Sequence, residues 1–228
     1  MPKLEITAVP DRALLAAVCE FNLLPSQYLH DSWLESLPHG NLLAQLTACS
    51  RVGAQLSQYL LQQFGLPDQY CFAIEEPLLR IALLPEADIA ALVLHAGLCR
   101  YSRQIQHTVL RQEVLALREQ LGEEAYLFAL KRAPFLAPPL ENSTDPAWQA
   151  DHCREHTWRA GIGCLSSAFS GQAPALVQRL MMKLPRHWQA DMADPPWWLS
   201  QHQAKMLLGK LMIELKTTEH SHADLSQT

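Results

Sequence analysis

Apolar positions recur at intervals of three and four along most of the chain, the spacing that lines one face of an α-helix. The longest such series is Leu42, Leu46, Cys49, Val52, Leu56, Leu60 and Phe64. It predicts a helix over 42–64, capped by Asn41 and stopped at Gly65, with Leu66-Pro67 as the helix exit. Ahead of it, Asp11 caps an expected helix over 11–21 that buries Leu14, Leu15, Val18 and Phe21. Pro25 opens a second helix carrying Tyr28, Leu29, Trp33, Leu34 and Leu37, which Pro38-His39-Gly40 breaks. Residues 86–100 are apolar nearly all round, as suits a helix in the middle of a bundle. Ser102 then caps an expected helix ending at Gly122, and Glu123 starts another that Pro134 closes. Helices from Pro146 to Phe169, over 174–184 and over 197–216 complete the series. One stretch breaks the pattern. Tyr70, Phe72 and Ile74 alternate, which predicts a short strand-like segment near 70–75.

Composition supports the same fold class. Among 228 residues Leu occurs 40 times and Ala 28 times, against 14 for Val and Ile together. Helices favour the first pair and strands the second, so the expected fold is all-α, a compact irregular multi-helix domain. Residues 1–217 are expected to form a single domain. Pro134 to Pro146 holds four prolines and the polar run Glu-Asn-Ser-Thr-Asp, and reads as a surface loop able to separate two subdomains. The polar stretch 218–228 is expected to be a disordered tail.

Charge and cysteine usage narrow the function classes. The net charge of −5 offers no basic excess to displace counterions from phosphates, which excludes nucleic acid as the main partner. Cysteines 19, 49, 71, 99, 153 and 164 form no C-x-x-C pair, and most fall within helical apolar patterns, so free thiols in a reducing cytosol are expected. No apolar run approaches the roughly 18 residues of a membrane span, and the first residues carry no signal-peptide pattern. The expectation is a cytoplasmic chain without direct membrane insertion.

The sharpest chemical motif is His152-Cys153-Arg154-Glu155-His156, an H-x-x-E-H pattern. On a helix its two histidines could hold a metal while Glu155 activates a water, so a small zinc hydrolase is the rival reading. Such a site needs a third ligand downstream, where only Glu214 and the tail residue Glu219 stand. The expectation is therefore no catalytic residue, no metal and no cofactor. No G-x-S-x-G or phosphate-cradling glycine loop is present either.

Two features bear on binding. Arg103, His107, Arg111 and Arg118 step by four, four and seven, which would place them on one side of a 103–121 helix as a contact for an acidic partner. Trp197-Trp198 follows Pro195-Pro196, and adjacent helical residues point about 100° apart, so both rings cannot centre on one buried face. That corner is the second candidate for partner binding.

The segments EPLLRIALLPEADIAALVLHAGLCRYSRQI (76–105) and VLRQEVLALREQLGEEAYLFALKRAPFL (109–136) carry a resemblance. An R-x-A-L-L-P turn, Arg80 to Pro85, is followed by an apolar helix. Then come a Leu/Arg/Glu-rich helix ending in Leu121-Gly122 and an A-Y-x-F-A-L-x-R-A-P block, Ala125 to Pro134. With FNLLPSQYLHDSWL (21–34), about a third of the chain resembles the SctK family of bacterial type III secretion proteins, which includes YscK and PscK. The resemblance implies a non-enzymatic cytoplasmic adaptor of the sorting platform, peripheral to the inner membrane through its partners. Those partners would be the cytoplasmic domain of the ring protein SctD and the pod protein SctQ, with the SctL stator and the SctN ATPase beyond. A secretion chaperone is a further alternative, but the chain lacks the strand-rich half expected of one.

Overall fold

Leucine and alanine at helical spacing become α-helices throughout the computed structural model. It describes residues 12–72, 76–139, 148–193 and 198–225, with backbone alone for 216–225. Thirteen α-helices and no strand occur among the described residues: an all-α fold. These residues gather into two compact units. The first takes the chain up to Glu86 together with Gln172–Arg186; the second takes Ala87–Gly171 together with His187 onward.

The first unit opens with α1 (Arg12–Leu23), which buries Val18 and Phe21 but leaves Leu15 exposed. The expected cap Asp11 lies outside the described residues. The helix expected from Pro25 is shorter than predicted: a 3-10 turn (Pro25–Gln27) and then α2 (Asp31–Leu34), whose start is capped by Ser32 N–H donating to His30 Nδ1 at 3.1 Å. The predicted 42–64 helix is two helices, α3 (Gly40–Thr47) and α4 (Gly53–Gln63). Between them Cys49 turns extended (φ −100°, ψ 101°) and Ser50–Val52 form a 3-10 turn. The reason is local. The Thr47 hydroxyl donates back to the Ala44 carbonyl at 2.7 Å, and Cys49, Ser50 and Val52, each a weaker helix former, follow within five residues. The buried stripe shifts accordingly: Leu43 is buried where Leu42 is exposed, while Leu56 and Leu60 are buried as expected. Gly65 ends α4 in the left-handed region (φ 67°), and Leu66 N–H reaches back to Leu61 O at 2.8 Å, a Schellman closure.

No strand forms at 68–72; Ile74 lies outside the described residues. The chain there is held by a side chain instead. Asn22, itself buried, accepts from Cys71 N–H at 2.7 Å and donates to Cys71 O at 3.0 Å, imitating one rung of a sheet. Helix α5 (Pro77–Leu83) buries Leu78, Leu79, Ile81 and Ala82, and α11 (Pro174–Lys183) completes the unit against it.

The second unit begins with α6 (Glu86–His107), whose first residue belongs to the first unit. Ser102 does not cap a new helix. It is buried inside α6, and its hydroxyl donates to Cys99 O at 3.1 Å. Thr108 to Leu110 interrupt, and α7 (Arg111–Leu121), α8 (Glu123–Lys131) and α9 (Ala133–Leu136) follow. Helix α10 (Cys153–Phe169) is the centre of this unit, with α7, α12 (Trp188–Ala193) and α13 (Gln201–Leu225) packed on it. Helix α6 meets α10 at two glycines: a Cβ on Gly97 would lie 1.8 Å from Thr157 O, and one on Gly161 1.9 Å from Val93 O. Helix α13 starts at a capping box rather than at 197. Ser200 Oγ accepts from Gln203 N–H at 3.3 Å, and Gln203 Oε1 accepts from Ser200 N–H at 3.0 Å. The helix continues through Leu225, past the expected start of the tail, since no Gly or Pro stands between Leu211 and Leu225. Part of the expected loop at 134–146 and the expected helix start at Pro146 lie outside the described residues, as does Trp197. Among the described residues no single helix is long and apolar enough to cross a membrane.

Candidate interaction site

In the first unit, α11 carries two cations where its helical period places core residues. Ala175, Leu176, Arg179, Leu180 and Lys183 form one buried stripe, with Arg179 0% and Lys183 6% exposed. That register was readable in the sequence, though neither residue stands out by motif. Lys183 Nζ donates to Ala82 O at 2.9 Å and Leu84 O at 2.8 Å, satisfying carbonyls that the end of α5 leaves open. Its ammonium also lies 5.4 Å from the Phe21 ring and 5.3 Å from the Tyr28 ring. It thus caps the R-x-A-L-L-P segment from inside. Arg179 donates to Ala175 O and to Asn22 O, each at 3.3 Å, tying α11 to the end of α1. A cleft of about 490 Å³ opens beside Lys183, lined among others by Glu20, His30, Asp31, Pro85 and Glu86. His30 Nε2 stands 3.4 Å from Glu86 Oε1.

Burial lowers the Lys183 pKa to about 8, with nearby Glu20 opposing the shift. Burial acts the other way on thiols, raising Cys99 to about 12 and Cys153 to about 11, and it raises Cys164 as well. The signs give an alkaline profile. From pH about 8 upward folded Lys183 sheds a proton that the unfolded chain keeps to about 10.5, so this group adds stability as pH rises. Above about 9 the unfolded thiols ionise while the buried ones stay protonated, so they remove stability. Three thiols outweigh one lysine, and stability should fall above pH about 9. In Lys183→Met the decline should steepen by one proton, about 1.4 kcal/mol per pH unit between the two lysine pKa values. Urea midpoints measured from pH 7 to 10.5 check this; parallel profiles for the two proteins would refute it.

In the second unit the predicted cationic stripe is not one helix face. Arg103 and His107 lie near the end of α6, while Arg111 begins α7 and Arg118 follows two turns later. Leu110 between them is extended (φ −70°, ψ 126°). All four side chains are exposed, and Arg118 is paired with Glu123 at 2.7 Å. Val109 and Leu110 project at the break, 83% and 61% exposed. Trp198 is half-buried: its Nε1 donates to Ala160 O at 2.9 Å, and its ring packs on the cluster around Leu98, Tyr101 and Cys153. The Arg100 guanidinium lies 5.6 Å from the Tyr101 ring and 6.0 Å from the Trp198 ring.

The H-x-x-E-H segment is split by the start of α10. His152 ends a 3-10 turn and is non-helical (φ −118°, ψ 18°), while Glu155 is exposed. The His156 ring is packed 6.2 Å from Tyr101 and 5.8 Å from Trp148. Glu214, the third-ligand candidate with a described side chain, accepts from Arg132 Nε at 2.6 Å. Among the described residues no group of three His, Cys, Asp or Glu side chains could hold a metal ion.

A recess of about 250 Å³ lies between the second half of α6 and the proline-rich segment after α8. Cys99, Arg100, Ser102 and Arg103 face Pro134, Ala137, Pro138 and Pro139 across it. Phe135, next to Pro134, is 85% exposed, more than any other large apolar side chain among the described residues. Sequence reading missed this site because its walls come from segments about thirty residues apart.

Comparison with known proteins returns one family. The model described as YOP proteins translocation protein K (YscK) matches residues 16–222. No curated protein and no solved structure matches the chain.

Proposed function

Since the chain belongs to the YscK family, the SctK family of type III secretion proteins, we propose that it is a non-enzymatic adaptor of the injectisome's sorting platform. In this reading it links the cytoplasmic domain of the inner-membrane ring protein SctD to the pod protein SctQ, and through it to SctL and the SctN ATPase. It would act in the cytoplasm at the inner face of the membrane, held there by its partners. The observation that carries the reading is the family match across residues 16–222.

The site chemistry is compatible with it. Each unit offers a cleft of its own, one bordered by Glu20, Asp31 and Glu86, the other by Arg100 and Arg103. An adaptor must hold two partners at once, and a cleft on each unit suits that task. Arg103, His107, Arg111 and Arg118 are exposed and so accessible to an acidic partner, whose binding would weaken with salt. Trp198 gives such a partner little to bury, since its ring is already packed.

The test is reconstitution. The purified full chain, the SctD cytoplasmic domain and SctQ from the same system should co-elute as a ternary complex. Deleting the gene should abolish type III secretion, and the wild-type copy should restore it. A chain that binds neither protein, alone or with the other present, sinks the adaptor reading.

A further inference from the structure

We propose that the elbow between α6 and α7 is a docking knob, which inserts Val109 and Leu110 into an apolar pocket of a partner protein rimmed by carboxylates; this rests on the adaptor reading above. The chain there runs His107-Thr108-Val109-Leu110-Arg111. Val109 and Leu110 are the only two large apolar side chains adjacent in sequence that are both exposed among the described residues. Apolar side chains scattered singly over a surface need no explanation, but a pair projecting together marks a contact.

Charge selects the kind of pocket. His107 and Arg111 flank the pair, both exposed, and neither side chain is bonded to another described residue. From Arg103 to Gln112 the sequence carries no carboxylate, and the next residue, Glu113, is half-buried in the first turn of α7. Arg118, two turns on, is already paired with Glu123 and adds nothing. Complementarity therefore favours an apolar pocket edged by Asp or Glu. Lipid is the poorer match. Attachment to an anionic bilayer uses clusters of about four to eight Lys or Arg. Residues 103–112 supply two arginines and one histidine, in a chain of net charge −5.

The knob is held from both sides. Thr108 N–H donates to Ile105 O at 3.3 Å and its hydroxyl to Gln104 O at 2.9 Å, which closes α6. Leu110 O accepts from Val114 N–H at 2.9 Å, which opens α7. Only Val109 lies between these fixed points, so docking orders little backbone and keeps more of the gain from apolar burial.

Full-length Leu110→Ser and Arg111→Glu are the test. Serine suits the start of α7, where Leu110 makes no side-chain cap, and a carboxylate suits the helix's first turn, so both variants should fold like the wild type. Each is titrated separately with the SctD cytoplasmic domain and with SctQ. Both should lose about tenfold or more in affinity for the same partner and keep the other. Wild-type affinity for that partner should fall with added salt. Leu110→Ser should keep that slope and Arg111→Glu flatten it, since only the second removes charge. Variants that bind both partners like wild type, or that weaken different partners, overturn the proposal and leave the adaptor reading standing. A loss confined to one variant does the same, because the knob needs both its apolar tip and its charged flank. Wild-type binding to phosphatidylglycerol vesicles that Leu110→Ser abolishes, with both proteins still bound normally, assigns the elbow to a lipid surface and overturns it too. Wild-type protein that binds neither partner removes the adaptor reading and this proposal together.

Discussion

Gly97→Ala is expected to destabilise the second unit by about 3 kcal/mol or more, at the upper end for overpacking. The added methyl would meet Thr157 O at 1.8 Å, and the obstacle is backbone of α10, not the tip of a flexible side chain. Relief requires the two helices to separate, which loosens the contacts of Leu98, Cys164 and the other buried residues beside the crossing. Gly161→Ala meets Val93 O at 1.9 Å and should behave alike, since the two glycines serve the same crossing. Alanine's better helix propensity returns only about 1 kcal/mol, so steric cost decides the sign. Gly209→Ala is the internal control. A methyl there meets nothing within 4 Å, so α13 should gain about 0.5–1 kcal/mol. Denaturant titrations of the three variants check the contrast. Gly97→Ala as stable as wild type would mean the crossing is not as close as described.

Trp33→Ala carries the second large effect, in the first unit, where a loss of about 3–5 kcal/mol is expected. The side chain is 5% exposed, and its ring meets Phe64 edge-on at 5.6 Å. Its Nε1 is shared between Met181 O at 3.1 Å and Leu184 O at 2.9 Å, so one indole closes the end of α11. Truncation leaves a cavity and withdraws a donor from two carbonyls at once. Trp33→Phe separates the terms: it keeps most of the packing and should lose about 1–2 kcal/mol for the missing donor. Far-UV circular dichroism against urea reads both. Equal losses in the two variants would assign the whole effect to the hydrogen bonds.

Helix class was legible because leucine and alanine at three-and-four spacing leave no strand alternative. Helix boundaries were less so, and the failures share a cause. Thr47 and Ser102 carry hydroxyls that either cap a new helix or bond back to a carbonyl of the old one, and spacing does not distinguish the two. In the folded chain both bond backward, which ends α3 early and carries α6 past its expected stop. The alternation at 70–72 did not become a strand; the backbone there pairs with the Asn22 amide, a contact across 49 residues that no local pattern carries. The binding candidates divide the same way. Arg103 was visible as a charge at helical spacing, and the structure adds the recess it borders. Arg111 and Arg118 belonged to the same series only if α6 and α7 were one helix. Phe135, Arg100 and Lys183 were passed over because exposure, ring stacking and core placement are properties of assembled helices.

The first unit is written discontinuously: its opening helices end at Glu86, and α11, which supplies Arg179, Lys183 and the acceptors for Trp33, arrives only with Gln172–Arg186. During synthesis the opening helices therefore wait on the ribosome with Phe21, Leu34 and Leu79 uncovered while α6 to α10 are made. The unit begun first cannot close until more than four-fifths of the chain has been translated, and the second unit, which needs His187 onward, closes later still. A nascent chain stalled before Gln172 would present a leucine-rich surface to chaperones or to another nascent copy, so expression of C-terminally shortened fragments should yield aggregates rather than a free first unit.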